Sequence, residues 1–321
     1  MKLLAPLGAL YGGAAALRVA ADRSGLLSQA RLSGPVISVG NLSVGGSGKT
    51  PVVQRIAEIL LEAGLPVAIL SRGYRGSFAG EALVVSDGHG AIAGDAAVAG
   101  DEPVMLARAL PRAIVAVGPR RDRVGRLVEE RFGPCVHVLD DGFQHLRLAR
   151  DLDVLCLDAA DLGDSPLPAG RLREFASAAS RADVVLLSGA GPLPPGAFRW
   201  QRRLLGVFDL AGRPQACGRP WLVSGIARPE RFHTDAQAVL GGAAGRDVFP
   251  DHHAFSASEW QTVVAKARAA GADAIVTTAK DAVRLPPAAA APPVLVLRIA
   301  AAIEDEPRFR ERLLAVARRA A

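Results

Sequence analysis

Short apolar runs recur along the chain with room for a helix between them. Val36-Ile37-Ser38-Val39 is the first, followed by a glycine-rich stretch from Gly40 to Gly48. Lys49 to Ala63 then places Val52, Val53, Ile56, Ile59 and Leu60 on one side at helical spacing. Pro66 to Leu70 is a second run, and Ala113 to Val117, Val136 to Leu139, Asp153 to Leu157 and Val184 to Leu187 continue the series. Strands alternating with helices predict an α/β fold: a mostly parallel sheet with helices on both faces, its ligand site at the carboxyl ends of the strands.

Gly189 to Pro220 is rich in Gly, Pro and Arg and reads as a linker or a ribbon joining two units. Beyond it, Trp221 to Ser224, a helix near Ser256 to Ala270, strands at Ala274 to Thr277 and Val294 to Ile299, and a basic helix from Pro307 to Ala320 predict a second, smaller α/β unit. The expected organisation is an apolar N-terminal helix in residues 1–30, a larger unit in 31–215 and the smaller one in 216–321, its last helix free to pack back on the larger unit.

Leu3 to Leu17 carries no charge and is flanked by Lys2 and Arg18. A helix of that length reaches about 22 Å, short of a hydrocarbon core of roughly 30 Å, so a simple span is not expected. Leu3, Leu4, Leu7, Leu10, Tyr11, Ala14 and Leu17 fall on one face, and Ala5, Gly8, Ala9, Gly12 and Gly13 on the other. A helix lying on a membrane surface, a core helix and a signal peptide all fit that pattern.

Composition narrows the partners. The net charge of +6 and the pI near 9.8 suit anionic lipid or a phosphorylated substrate. With 5% aromatic residues and no basic–aromatic platform, nucleic acid is not expected. Cys135, Cys156 and Cys217 form no CxxC pair and read as reduced, buried thiols.

The strongest chemical signal is Gly45-Gly46-Ser47-Gly48-Lys49-Thr50 between a strand and a helix. Such a loop aims backbone N–H groups and a helix N-terminus at phosphates. Lys49 would reach the β- and γ-phosphates and Thr50 would offer its hydroxyl to Mg²⁺. The first glycine of the full pattern is replaced by Ser43. Val136 to Leu139 ends in Asp140-Asp141, the apolar strand with terminal acid that holds Mg²⁺ beside a P-loop. ATP and Mg²⁺ are thus the expected cofactors of a P-loop NTPase-like unit.

Val39 to Pro51 also resembles the distinctive P-loop of the lipid A 4′-kinase (tetraacyldisaccharide 4′-kinase) family, missing glycine and trailing proline included. Asp140-Asp141-Gly142-Phe143-Gln144-His145 is similar to that family's signature. So are Ser71 to Tyr74, Gly100 to Pro103, Pro168 to Glu174, Asp251 to His253 and Thr277 to Asp281. The resemblance implies transfer of the ATP γ-phosphate to the 4′-hydroxyl of an acylated disaccharide 1-phosphate lipid. It implies a site at the cytoplasmic face of the bacterial inner membrane, with the N-terminal helix at the membrane surface. It also implies Asp101 as base and a histidine partner, His252 or else His253. An imidazolium or a neutral ring would each orient the carboxylate. Asp101 alternatively caps the helix that follows it. Arg171, in Pro168 to Glu174, is the leading phosphate contact, with Arg72, Arg120 and Arg121 beside it. Arg120, Arg121 and Arg123 also read as a solvated basic loop. Gln144 and His145 would order the Mg²⁺ site or line the ATP pocket, and Glu102 joins Thr50, Asp140 and Asp141 as a metal candidate. His89, His137 and His233 read as structural. The rival class is a P-loop ATPase or regulator acting on a protein partner; no Asn-Lys-x-Asp guanine reader is present.

Overall fold

The computed structural model describes residues 4–25, 28–45, 48–286 and 292–318. In chain order, helix α1 (Ala5–Arg23) precedes β1 (Val36–Asn41), α2 (Lys49–Glu62), β2 (Val67–Ser71) and β3 (Leu83–Asp87). Then come α3 (Ala96–Ala99), α4 (Asp101–Ala109), β4 (Ile114–Val117), α5 (Arg121–Phe132), β5 (Val136–Asp140), β6 (Leu152–Asp158) and β7 (Val184–Ser188). The rest is β8 (Phe198–Asp209), β9 (Pro214–Gln215), β10 (Trp221–Ser224), α6 (Pro229–Leu240), β11 (Gly245–Val248), α7 (Ala257–Ala269), β12 (Ile275–Thr278), α8 (Ala279–Ala282), β13 (Val294–Ile303) and α9 (Glu306–Ala317).

Among the described residues the strands form one continuous, mostly parallel sheet. β1 lies between β5 and β6; β5 leads to β2, β4 and the antiparallel edge strand β3, and β6 leads to β7 and β8. β8 pairs antiparallel with β13, and the sheet then runs in parallel through β12 and β10 to β11.

Of the two readings of Gly189 to Pro220, the joining ribbon describes it and the plain linker does not: it holds β8, the strand that joins the two halves. In β8, Phe198 and Trp200 are buried while Gln201, Arg203 and Leu205 are exposed. Arg203 sits on that open side and Arg202 on the other, where it pairs with Asp235; these charges disguise the strand in the sequence.

Helices cover both faces. Val52, Val53, Ile56, Ile59 and Leu60 of α2 are fully buried, in one cluster with Ala301 and Ile303 of β13 and Phe309, Leu313 and Ala317 of α9. Arg55 bonds Glu306 with two nitrogens, at 2.6 and 3.0 Å, so a charged clasp closes over that apolar contact. On the opposite face Val124 and Val128 of α5 pack under Ala68, Leu70 and Leu139.

α1 packs through its small residues. A Cβ on Gly12 would stand 2.7 Å from the Phe175 ring, and one on Gly8 2.8 Å from the Pro166 carbonyl oxygen. Its large apolar side faces outward, with Leu7, Leu10 and Leu17 at 52%, 70% and 72% exposure. The core-helix expectation fails because only glycine permits the close approach, which buries the wrong face for a core. No described helix is long and apolar enough to cross a membrane.

Candidate active site

β1 delivers the chain to the P-loop at the centre of the sheet. Gly45 and Gly48 adopt φ of +80° and +73°, conformations that favour glycine, and Gly48 leads directly into α2. Gly46 and Ser47 lie outside the described residues. Lys49 Nζ is 2.9 Å from Asn41 Oδ1 and 3.2 Å from Asp141 Oδ1. Ser43, at the position of the missing glycine, donates its hydroxyl to Asp161 at 3.0 Å, and Asn41 Nδ2 donates to the Ser43 carbonyl at 2.6 Å. The substitution thus supplies an anchor for the loop.

β5 ends in two acids with different surroundings. Asp140 is buried and accepts a hydrogen bond from Ser71 Oγ at 3.1 Å. Burial, then the nearby Glu102 carboxylate, push its pKa up to about 7 against the pull of Lys49. Asp141 adopts φ of +55° and turns to two cations, Lys49 at 3.2 Å and Arg173 at 2.8 Å. Burial acts to raise its pKa, but Lys49 and Arg173 outweigh it and the net shift is downward.

The far half of the sheet brings its own strand ends to the same place. After β11 the chain turns through His252, held at φ of +63°, a conformation rare outside glycine. His252 Nδ1 lies 2.8 Å from Asp101 Oδ2 at the start of α4. Lys280 Nζ, from α8, lies 3.1 Å from His252 Nε2, and Arg284 Nε lies 3.3 Å from Asp101 Oδ2. Tyr74 meets the His252 ring edge-on at 5.9 Å. Asp101 makes no side-chain capping bond, so the cap alternative fails: Gly100 occupies that position. His253 is not its partner either, being stacked on Phe249 and paired with Glu259 at 3.2 Å.

The predicted arginines separate. Arg171 points away from the strand ends, pairing with Asp161 at 3.2 Å and Asp164 at 3.0 Å. Arg173, two residues on along a bent stretch of chain, is the one that reaches Asp141 and Gln144. Arg72 and Arg120 both line the cleft, Arg120 already paired with Asp122 at 2.8 Å. Arg121 is buried, with one guanidinium nitrogen donating to the Pro119 carbonyl and Nε without a partner. Both Arg121 and Arg123 lie in the first turn of α5 and not in a loop, and only Arg123, which pairs with Glu81, is solvated. Gln144 donates to the Asn41 carbonyl at 3.0 Å and to Glu174 at 3.1 Å. Burial, then Arg121, lower the pKa of His145 to about 4, so its ring is neutral near pH 7.

The P-loop, the strand-end acids and His252, with Asp101 behind it, meet at one cleft of about 1410 Å³. Single-ligand pockets usually hold about 300–1,000 Å³, so two ligands fit side by side. Tyr11, Ala15 and Val19 of α1 line its rim.

A family model described as tetraacyldisaccharide-1-P 4′-kinase matches residues 1–318. The chain belongs to the tetraacyldisaccharide 4′-kinase family. It is 44% identical to the tetraacyldisaccharide 4′-kinase of Anaeromyxobacter dehalogenans (strain 2CP-C), over 89% of this chain and 84% of the relative. It is 43% identical to that of Geobacter metallireducens, over 89% of each. The crystal structure of the "apo" form of LpxK from Aquifex aeolicus in complex with ATP has a TM-score of 0.85 to it. That structure is 31% identical and covers 98% of this chain and 99% of its own.

For this 4′-kinase family member, sequence reasoning missed Asn41, Arg173, Lys280 and Arg284 as site residues. Asn41, Arg173 and Lys280 lie inside the family-like segments. Arg284 carries no sequence signal: only the fold brings it to Asp101.

Proposed function

We propose that this chain transfers the γ-phosphate of ATP to the 4′-hydroxyl of a tetraacyldisaccharide 1-phosphate. The observation that carries the reading is one cleft that joins a P-loop, an Asp–His pair and the inner side of an exposed apolar helix. A water-using ATPase has no need of that helix beside its acceptor site.

Lys49 and the P-loop amides hold the β- and γ-phosphates. Asp101 takes the proton as the sugar oxygen forms its bond to Pγ, while the bond from Pγ to the β-phosphate oxygen breaks and ADP leaves. His252 fixes the direction of the Asp101 carboxylate. Arg173, Arg121 and Arg72 line the same cleft and add positive charge to that of Lys49, and His145, neutral, lines it too.

The donor set suits Mg²⁺: the Thr50 hydroxyl and the Asp140 carboxylate are hard oxygens, and Asp140 is a buried acid with no cation in hydrogen-bond contact. When bound there, Mg²⁺ would neutralise charge on the β- and γ-oxygens. Asp141 is committed to Lys49 and Arg173, so we assign it to orienting Lys49, with Glu102 standing behind Asp140. The outward leucines of α1 support peripheral attachment to a membrane surface. We place that surface at the cytoplasmic face of the bacterial inner membrane, where ATP and a membrane-held acceptor meet. The two halves of the sheet, divided near residue 215, would close on the substrates, because Asp101 and His252 come from opposite halves.

The test is transfer of label from γ-labelled ATP to tetraacyldisaccharide 1-phosphate in detergent micelles, with Lys49→Ala alongside. Labelled bisphosphorylated lipid that disappears in Lys49→Ala is the expected result. ATP hydrolysis with no labelled lipid would reject the acceptor and favour an ATPase.

A further inference from the structure

His252 is within hydrogen-bond reach of one group on each of its ring nitrogens, and those two groups decide its proton; the Asp251 carboxylate, 3.7 Å from Nε2, is beyond that reach. Nδ1 is 2.8 Å from the Asp101 carboxylate, which accepts. Nε2 is 3.1 Å from the Lys280 ammonium, which has three N–H donors and no acceptor. A proton on Nε2 would point N–H at N–H⁺. The arrangement is satisfied one way only: Lys280 donates to Nε2, and Nδ1–H donates to Asp101. An imidazolium, with protons on both nitrogens, does not fit.

The fold holds Lys280 in place for this. It lies in α8, whose start is fixed by Thr278: the Thr278 hydroxyl donates to the buried Asp281 carboxylate at 2.7 Å and accepts from the Asp281 amide at 3.0 Å. Asp281 also accepts from the Gly225 amide at 3.1 Å, and the Gly225 carbonyl accepts from the His252 amide at 3.0 Å. Lys280 and His252 are therefore built on one hydrogen-bonded frame. The Lys280 side chain is only 21% exposed and faces further acids, Asp251 at 3.8 Å and Glu102 at 3.9 Å, both beyond hydrogen-bond reach. Its short contact is the one to the imidazole.

We infer that Lys280 is a positioning residue for phosphoryl transfer: it fixes His252 as the neutral Nδ1–H tautomer and so aims the Asp101 carboxylate at the acceptor hydroxyl. The unit spanning the cleft is then Lys280–His252–Asp101, with the lysine and histidine from one half of the sheet and the aspartate from the other. This rests on the reading of Asp101 as the base.

The experiment uses the full chain, labelled with ¹⁵N-histidine, in micelles. His252 is assigned by the signal lost in His252→Gln. In the parent protein the His252 spectrum is expected to show a protonated Nδ1 and an unprotonated Nε2. Lys280→Met is expected to populate a second protonation form and to lower kcat by about tenfold or more, leaving KM for ATP within about twofold, the pattern of a lost interaction made in the transition state. Lys280→Arg, which keeps a donor, is expected to retain the parent spectrum and to recover a large part of kcat. This variant reads the proposal should Lys280→Met not fold. A parent His252 protonated on Nε2, or a Lys280→Met protein with unchanged spectrum and kcat, overturns the role of Lys280. Asp101→Asn runs in parallel: if it retains transfer, the base reading itself fails. If Asp101→Asn is inactive while Lys280→Met is unchanged, only the Lys280 inference fails.

Discussion

Adjacent acids can share a sequence motif and still differ in chemistry, and Asp140 and Asp141 do so because only one has cations in contact. An Asp140 pKa raised to about 7, against about 3.9 for an unfolded aspartate, means that the folded state binds the extra proton between those values. The sign follows: stability of the ligand-free protein falls as pH rises from about 4 to about 7, by a few kcal/mol, and is flat above. Asp140→Asn is expected to raise the melting temperature above pH 7 and to remove this part of the slope, as thermal unfolding across pH would read. Binding of Mg²⁺ should strengthen over the same pH range in the parent and not in Asp140→Asn, by titration calorimetry. The arginines give a second contrast at this scale. Arg173→Ala frees Asp141 and is expected to cost about tenfold to a hundredfold in kcat/KM, since charge-assisted bonds of this kind are worth about 1.5–3 kcal/mol. Arg171→Ala removes a surface pair with Asp164 and one of several contacts of the buried Asp161, which keeps the Ser43 hydroxyl; neither reaches the cleft, so activity should change by less than about fivefold. Steady-state kinetics on the two variants decides between them. The sequence contained both arginines in one family-like segment; a regular extended chain would put residues 171 and 173 on one side, and they part only because the chain bends as Leu172 buries, with the Arg171 carbonyl bonded to the Val44 amide and the Arg173 amide to the Leu42 carbonyl.

At the scale of elements, α1 combines two faces with opposite duties. Gly8 and Gly12 bring it against Pro166, Ala169 and Phe175, and the leucines are left outside. Gly12→Leu is expected to lift the helix from its seat, and so to raise KM for the lipid acceptor with little change in KM for ATP. Leu10→Asp with Leu17→Asp should leave thermal stability unchanged, because both side chains are exposed, yet weaken sedimentation with phospholipid vesicles by tenfold or more per residue. Each buried leucine is worth about 1.5–3 kcal/mol and each 1.4 kcal/mol is tenfold. Equal vesicle binding by parent and double variant would count against the membrane reading. The sequence marked both faces of this helix, but only packing tells which of them the protein keeps. The central elements were more legible. β1, α2, β2, β5, β6 and β7 read directly as apolar runs and helical spacing because they are buried on both faces or along one. β8 was not, because a strand half-open to solvent carries arginines that resemble a linker.

The whole molecule departs most from a string of separate units. β8 and β13 run side by side through the junction of the two halves, and α9, at the end of the chain, returns to α2 beside the P-loop. A division at residue 215 therefore cuts through a shared core. Residues 31–215 alone would lose Ile303, Phe309 and Leu313 from the cluster that contains Val53, Ile56 and Leu60. Three buried side chains at about 1.5–3 kcal/mol each amount to roughly 5–9 kcal/mol, comparable with the whole stability of a typical domain, about 5–15 kcal/mol. The Arg55–Glu306 and Glu62–Arg310 contacts would be lost with them. The fragment 31–215 is thus expected to show no cooperative thermal transition by circular dichroism, whereas the full chain does. Full-length protein with Phe309→Ala should fold with a stability lower by about 3–5 kcal/mol, the usual cost of emptying a buried phenylalanine site. A fragment 31–215 that melts cooperatively and binds ATP as the full chain does would show that α9 is an accessory to the P-loop half and that the two halves fold apart. Because α2 begins at Lys49, the same contact lets the end of the chain set how firmly the phosphate site is held, so ATP affinity in Phe309→Ala should fall together with stability, not independently of it.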